Sequence, residues 1–352
     1  MKRIKNQTIA MLLAALMLLA MMTGCKAAAP ATQAAPAAEA APATETAPAT
    51  EAAPAEQSFT VGLVQLVEHA ALDAAREGFV KALADNGLTE GANLTIDIQN
   101  AQGDQSTLST IGDQFLSENC DLICAIATPA AQAMAGKTTE IPILATAVTD
   151  FEVAKLVESN EVPGGNVSGT SDMNPIADQI ALLFELFPDV QTVGCIFNSG
   201  EDNSVLQAGM AKAEVEKLGK AFTEITVTST NDVQQAVQTL VTKCDAIYIP
   251  TDNTIASAMP IVADAANGAK IPTVCGESNM VVAGGLATLG VNYFDLGYQT
   301  GEQAVRILLE GAEIKTMPVE FATGFDAAIN GDTAKAIGFT VPEKYADAIV
   351  EG

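Results

Sequence analysis

The plainest chemistry in the sequence lies in Glu68-His69, which closes the stretch VGLVQLVEH at 61–69. A carboxylate beside an imidazole offers a base and an acid. His69 is the chain's single histidine, and the sequence holds no GxSxG elbow, HExxH or Walker motif for the pair to serve. One histidine builds no multi-histidine metal site, and no CxxC is present. The reading is therefore of a binding protein without a catalytic residue, metal or cofactor. Glu68 opens a helix, where the dipole favours an acid. With Gln65 it stands at a strand end, in reach of a ligand.

Polar residues recur at the ends of other apolar runs. Thr128-Pro129 follows DLICAIA. Thr suits an N-cap and Pro the first helical position, and free N–H groups there favour a carboxylate. Asn198, Ser199 and Ser204 lie in NSGEDNS, again before a helix. Asp252-Asn253 follows IYIP; the carboxylate is either a helix cap or the partner of a ligand ammonium. Thr146 and Glu277 occupy matching places after two further strands. Ser171, Asp172, Asn292 and Tyr293 are expected at crossings of the chain, as hinge or pocket floor. Phe151, Phe197 and Tyr293 are candidate aromatic walls.

These residues need a scaffold that brings strand ends together. From Ser58 onward, short apolar strands such as FTVGLVQ, LTIDIQ and CDLICAIA alternate with helical patterns such as ALDAAREGFVKALADNG. That alternation predicts an α/β fold with parallel sheets. The pattern then repeats. Thr192-Val193-Gly194 answers Thr60-Val61-Gly62, Cys244-Asp245 answers Cys120-Asp121, and Ile271-Pro272 answers Ile141-Pro142. Two Rossmann-like lobes of similar build follow, with loops at the carboxyl strand ends facing one cleft. The expected division is 58–170 plus about 286–315 for the first lobe, and 171–285 plus about 316–352 for the second.

Composition narrows the partners. Acidic residues outnumber basic ones 43 to 17, for a net charge of −26. Nucleic acid needs clustered Lys and Arg and is excluded as a partner. High charge favours a soluble monomer. Residues 1–24 read as a signal peptide, with Lys2, Arg3 and Lys5 ahead of an apolar run from Ile9 to Met22. The run is too short for a permanent span. Met22-Thr23-Gly24-Cys25 resembles the lipobox of bacterial lipoproteins, which makes Cys25 the lipidated residue. Residues 25–57 form an Ala/Pro/Glu-rich tether with prolines at 30, 36, 42, 48 and 54, expected to be disordered. The remaining cysteines, Cys120, Cys124, Cys195, Cys244 and Cys275, sit in or beside apolar runs and read as buried, reduced core residues.

The blocks VGLVQLVEHAALDAAREGF, NAQGDQSTLSTI, DLICAIATPAAQA, PGGNVSGTSD, IYIPTDNTIASA and LGVNYFDLGYQTGEQA run in order along the chain. Together they resemble the substrate-binding lipoproteins of ABC importers, in the tryptophan/aromatic amino-acid-binding group. The resemblance spans about residues 58–340. It implies a periplasmic-binding-protein fold of type I, two lobes joined by three crossings, and a ligand such as tryptophan, phenylalanine or tyrosine. It also implies a permease and an ATPase as partners, and a place outside the cytoplasm on the lipid anchor. A surface sensor signalling to a membrane receptor without transport is the alternative that the same fold would serve.

Overall fold

The computed structural model describes residues 57–351. The expected signal peptide, Cys25 and all but the last residue of the expected tether lie outside the described residues. Among the described residues no helix is long and apolar enough to cross a membrane.

The chain first lays down β1 (Phe59–Gln65), α1 (Ala70–Asp85), β2 (Leu94–Asn100), α2 (Gln105–Glu118), β3 (Leu122–Ile126), α3 (Thr128–Ala135), β4 (Ile143–Val148) and β5 (Val167–Ser171). It then crosses and builds α4 (Ile176–Leu186), β6 (Thr192–Asn198), α5 (Asp202–Lys217), β7 (Ala221–Val227), α6 (Thr230–Leu240), β8 (Ala246–Ile249), α7 (Asn253–Ser257), α8 (Met259–Ala269), β9 (Thr273–Cys275), α9 (Ser278–Val282) and β10 (Ala287–Gly290). A second crossing leads to α10 (Tyr293–Leu308) and β11 (Glu320–Phe321). A third leads to β12 (Asp326–Asn330), α11 (Gly331–Ile337) and β13 (Ile349–Val350).

The first sheet has the order β11-β5-β4-β3-β1-β2 and the second β13-β12-β10-β9-β8-β6-β7. Five strands follow one order in both, β2-β1-β3-β4-β5 and β7-β6-β8-β9-β10, so the two lobes share a topology as the repeated blocks foretold. The strands pair in parallel, except for the antiparallel β10–β12 pair. Parallel strands covered on both faces read as unbroken apolar runs, and β3 (LICAI) is buried along its length.

Local signals set the helices. Asp104 caps α2 by accepting from Thr107 N, and Ser229 with Asp232 forms a capping box at α6. In α1 the residues Leu72, Ala75, Phe79, Ala82 and Leu83 bury one stripe. The matching Gly62 and Gly194 have a common steric cause. A Cβ would lie 2.7 Å from the Phe115 ring in the first lobe and 2.7 Å from Cys244 Sγ in the second.

Two boundaries move from those expected. Residues 287–290 belong to the second sheet, since β10 pairs with β9 and β12, so the crossing falls between Gly290 and Tyr293 rather than near 286. Likewise β11 hydrogen-bonds to β5, which carries the first lobe to Phe321 instead of about 315. Between those points α10 lies along α1 so closely that only glycine fits. A Cβ on Gly297 would meet Ala75 O at 1.9 Å, and one on Gly78 would meet Phe294 O at 2.0 Å. All five cysteines of the body are buried and free.

Candidate functional site

The carboxyl ends of both sheets face one narrow cavity between the lobes. The first lobe contributes His69, Ala71 and Leu72 at the start of α1, and Ala147 at the end of β4. Ala147 has φ 56°, a left-handed backbone uncommon for alanine. The second lobe contributes Asn203 on α5, Thr251, Asp252 and Asn253 after β8, Ala256 on α7, and Glu277 and Met280 around α9. Asp172 and Tyr293 stand at the first and second crossings. Among the described residues no lysine or arginine lines the cavity.

Three carboxyl groups are buried here, each below 4 % exposed. Asp172 accepts from Thr149 Oγ1 at 2.9 Å and from the Tyr293 hydroxyl at 2.6 Å. Burial raises its pKa despite both donors. Glu277 caps α9, accepting from Asn279 N at 2.5 Å and Met280 N at 2.8 Å. Burial, with a lesser push from Asp172, takes its pKa to about 7. Asp252 caps α7 through Ile255 N at 2.8 Å and accepts from Asn198 N at 2.6 Å. Burial and then the neighbouring Glu201 raise it too. Desolvation lowers the pKa of His69, which leaves a neutral imidazole at pH 7.

This polarity suits a cation with an anionic end. The carboxylates offer an ammonium its counter-charge. Asp73 N bonds to His69 O, so the N–H groups ahead of it in the first turn of α1 have no helical acceptor. Ala71 and Leu72 line the cavity, and free N–H groups of a first helical turn favour a carboxylate. Leu72, Ala147, Ala256 and Met280 add apolar surface for a side chain.

Among the described residues three side-chain bonds span the cleft. His69 Nε2 meets Asn253 Oδ1 at 3.2 Å, Gln207 Nε2 donates to Thr149 Oγ1 at 2.9 Å, and Gln132 Nε2 donates to Asp202 Oδ2 at 2.9 Å.

The sequence-derived candidates divide by position. Asp172, Asp252, Asn253, Glu277 and Tyr293 line the cavity. Pro129, Asn198 and Ser199 line a second, larger pocket that shares Asn253 with the cavity. Thr128 starts α3 one position later than an N-cap would, because Ala127 takes that place, and its hydroxyl is buried without a partner.

The others point elsewhere. Gln65 accepts from Arg76 Nη1 at 3.0 Å and donates to Val67 O and Asp73 Oδ1, so its amide ties β1 to α1. Glu68 is exposed, outside the lining. Thr146 turns to the opposite face of its strand, its hydroxyl 3.0 Å from that of Thr170. Ser204 is buried and supports Asp252. Ser171 bonds to Thr149 O at 2.8 Å within the hinge. Asn292 caps α10 from an exposed position. Phe151 and Phe197 are packed in the two cores; of the three candidate aromatic walls only Tyr293 reaches the cavity.

The sequence reading missed His69 as a lining residue and Thr149 as the partner of Asp172; it named the segments that hold Asn203 and Thr251 without choosing these two residues. Thr149 and Thr251 each follow a strand end. Asn203 stood within the polar segment already singled out.

Fold and cavity together define a two-lobed α/β binding protein whose site closes between sheets. The ABC transporter substrate binding protein family model matches residues 60–349, and the chain belongs to that family. A tyrosine-binding protein of Clostridioides difficile is 44% identical over 277 residues, which cover 79% of this chain and 80% of the relative. A domain from Streptococcus pneumoniae solved with L-Trp is 37% identical with a TM-score of 0.80, covering 84% of this chain and 100% of that one. A ligand-free, open substrate-binding protein from Clostridium difficile is 45% identical with a TM-score of 0.65, covering 83% and 99%. The chain thus matches the ligand-bound shape better than the open one, although its sequence is nearer the latter. With the three cross-cleft bonds, this identifies the lobe arrangement as closed.

Proposed function

We propose that this chain is the extracytoplasmic receptor of an ABC importer and takes up an aromatic amino acid between its lobes. The cavity wall carries the reading: three buried carboxyl groups beside the first turn of α1, with no lysine or arginine among them. The ammonium lies against Asp172 and Glu277, and the α-carboxylate against the amides of Ala71 and Leu72. The side chain runs along Leu72, Ala256 and Met280. The names of the similar proteins, one tyrosine-binding and one solved with L-Trp, support this ligand class.

His69 serves as a cross-cleft contact and not as a catalytic base, since its accessible partner is the Asn253 amide. Ligand binding favours the closed lobes only as far as the ligand binds them more tightly than the open ones. The closed form then engages a permease and its ATPase. Cys25 carries a diacylglycerol anchor, and residues 26–57 hold the body off the membrane.

Calorimetry of residues 57–352 against the twenty amino acids tests the ligand. At least one of tyrosine, tryptophan and phenylalanine binds below about 100 µM, or about −5.5 kcal/mol. Failure of all three refutes the reading. Cys25→Ser should abolish labelling by a fatty acid and release the chain from the cell surface; continued labelling refutes the anchor.

A further inference from the structure

We propose that the side-chain carbonyl of Asn203 reads a neutral N–H or O–H donor on the ligand's ring, selecting tyrosine and tryptophan over phenylalanine. This deepens the function proposed above and rests on an aromatic amino acid being the ligand.

Asn203 lines the cavity and is 6% exposed. Its Nδ2 donates to Thr251 O at 2.9 Å and lies 3.3 Å from Ser204 Oγ. A backbone carbonyl only accepts, so the first bond fixes which end of the amide is nitrogen. The other end, Oδ1, is buried with no hydrogen-bond partner.

The remaining side-chain oxygens of the wall are engaged. Asp172 holds two hydroxyls. Asp252 and Glu277 each hold two backbone N–H groups. Asn253 Oδ1 meets His69. The Thr251 hydroxyl accepts from Gln207.

A buried amide oxygen without a donor is costly, and folded proteins keep few. Asn160, Asn174 and Gln303 carry amide oxygens in the same state, but of the four only Asn203 belongs to the cavity wall, where a donor can arrive with the ligand. The ammonium is matched in charge by Asp172 and Glu277 in this reading, and a neutral amide oxygen adds least there. Phenol O–H and indole N–H are neutral donors at the far end of the ligand. Phenylalanine has none and would leave Oδ1 bare, the situation in which polar sites discriminate most strongly.

The test is calorimetry of residues 57–352 with tyrosine, tryptophan and phenylalanine, on the native sequence and on Asn203→Leu. The native protein should bind tyrosine or tryptophan at least about tenfold tighter than phenylalanine. Asn203→Leu should weaken that ligand by at least about fivefold more than it weakens phenylalanine. Asn203→Ser, smaller and still polar, withdraws the same oxygen and serves if the leucine variant does not fold by circular dichroism. Native affinity for phenylalanine equal to that for the other two overturns the proposal. So does an equal loss for all three, which would turn the oxygen toward the ligand's common α-carbon end. Binding of none of them overturns the proposed function itself, a separate outcome.

Discussion

Replacing Glu277 with glutamine separates the cost of an empty site from the gain of a filled one. Glu277 is 2% exposed, and its pKa rises from an ordinary 4.5 to about 7 because burial penalises the charge. An acid raised in the folded state binds its proton more tightly there than in the unfolded chain. Its favourable contribution is complete below about pH 4.5 and is lost as pH climbs to about 7. The difference corresponds to about 3 kcal/mol. Glutamine keeps one of the two α9 cap bonds and gives up the other, but it never ionises, so it lacks this pH-dependent loss. At pH 8 the empty variant should melt higher than the native protein, by roughly 5 °C. At pH 4.5 the gap should vanish. Binding goes the other way. Taking the carboxylate from a buried ammonium pair costs about 2 kcal/mol or more, at least about thirtyfold in affinity. Melting curves from pH 4.5 to 8, with and without ligand, measure both. Parallel native and variant curves across that range would refute the burial argument. Unchanged affinity would refute the ammonium site.

Gly297→Ala should destabilise the body by more than about 2 kcal/mol in urea unfolding, since its Cβ meets backbone rather than a movable side chain. His69→Ala removes one of three cross-cleft bonds, so ligand affinity should fall by about two- to tenfold while the thermal stability of the empty protein changes little. The five body cysteines should resist a thiol reagent at pH 8 until the protein is unfolded. Burial raises every one of their pKa values and hides the sulfur.

Strand ends were the informative feature of the sequence. Asp252, Asn253 and Glu277 each follow an apolar run, and open parallel sheets put such positions at a crevice. Which way each side chain turns was not readable. Gln65 and Thr146 sit at equally good strand ends, yet one is held by Arg76 and the other faces α10, its hydroxyl chain running through Thr170 to Thr300. Those partners lie far along the chain and are set by packing between elements. The crossings shifted for a similar reason. ATLG and DLGYQTGEQAVRIL look like one strand–helix unit of one lobe, but β10 finds its hydrogen bonds in the second sheet and α10 its apolar cover on α1.

The pairing of α1 with α10 also governs when the molecule becomes a molecule. The stripe of Ala75, Gly78, Phe79 and Ala82 emerges early in synthesis, while Leu296, Gly297 and Gly301, which cover it, follow roughly 200 residues later. At ordinary ribosome speeds that interval is about 10–40 s. During it the first lobe has its five leading strands but lacks its last helix and edge strand. A chain whose core stays unsealed so long can complete its fold only after most of its length has been made.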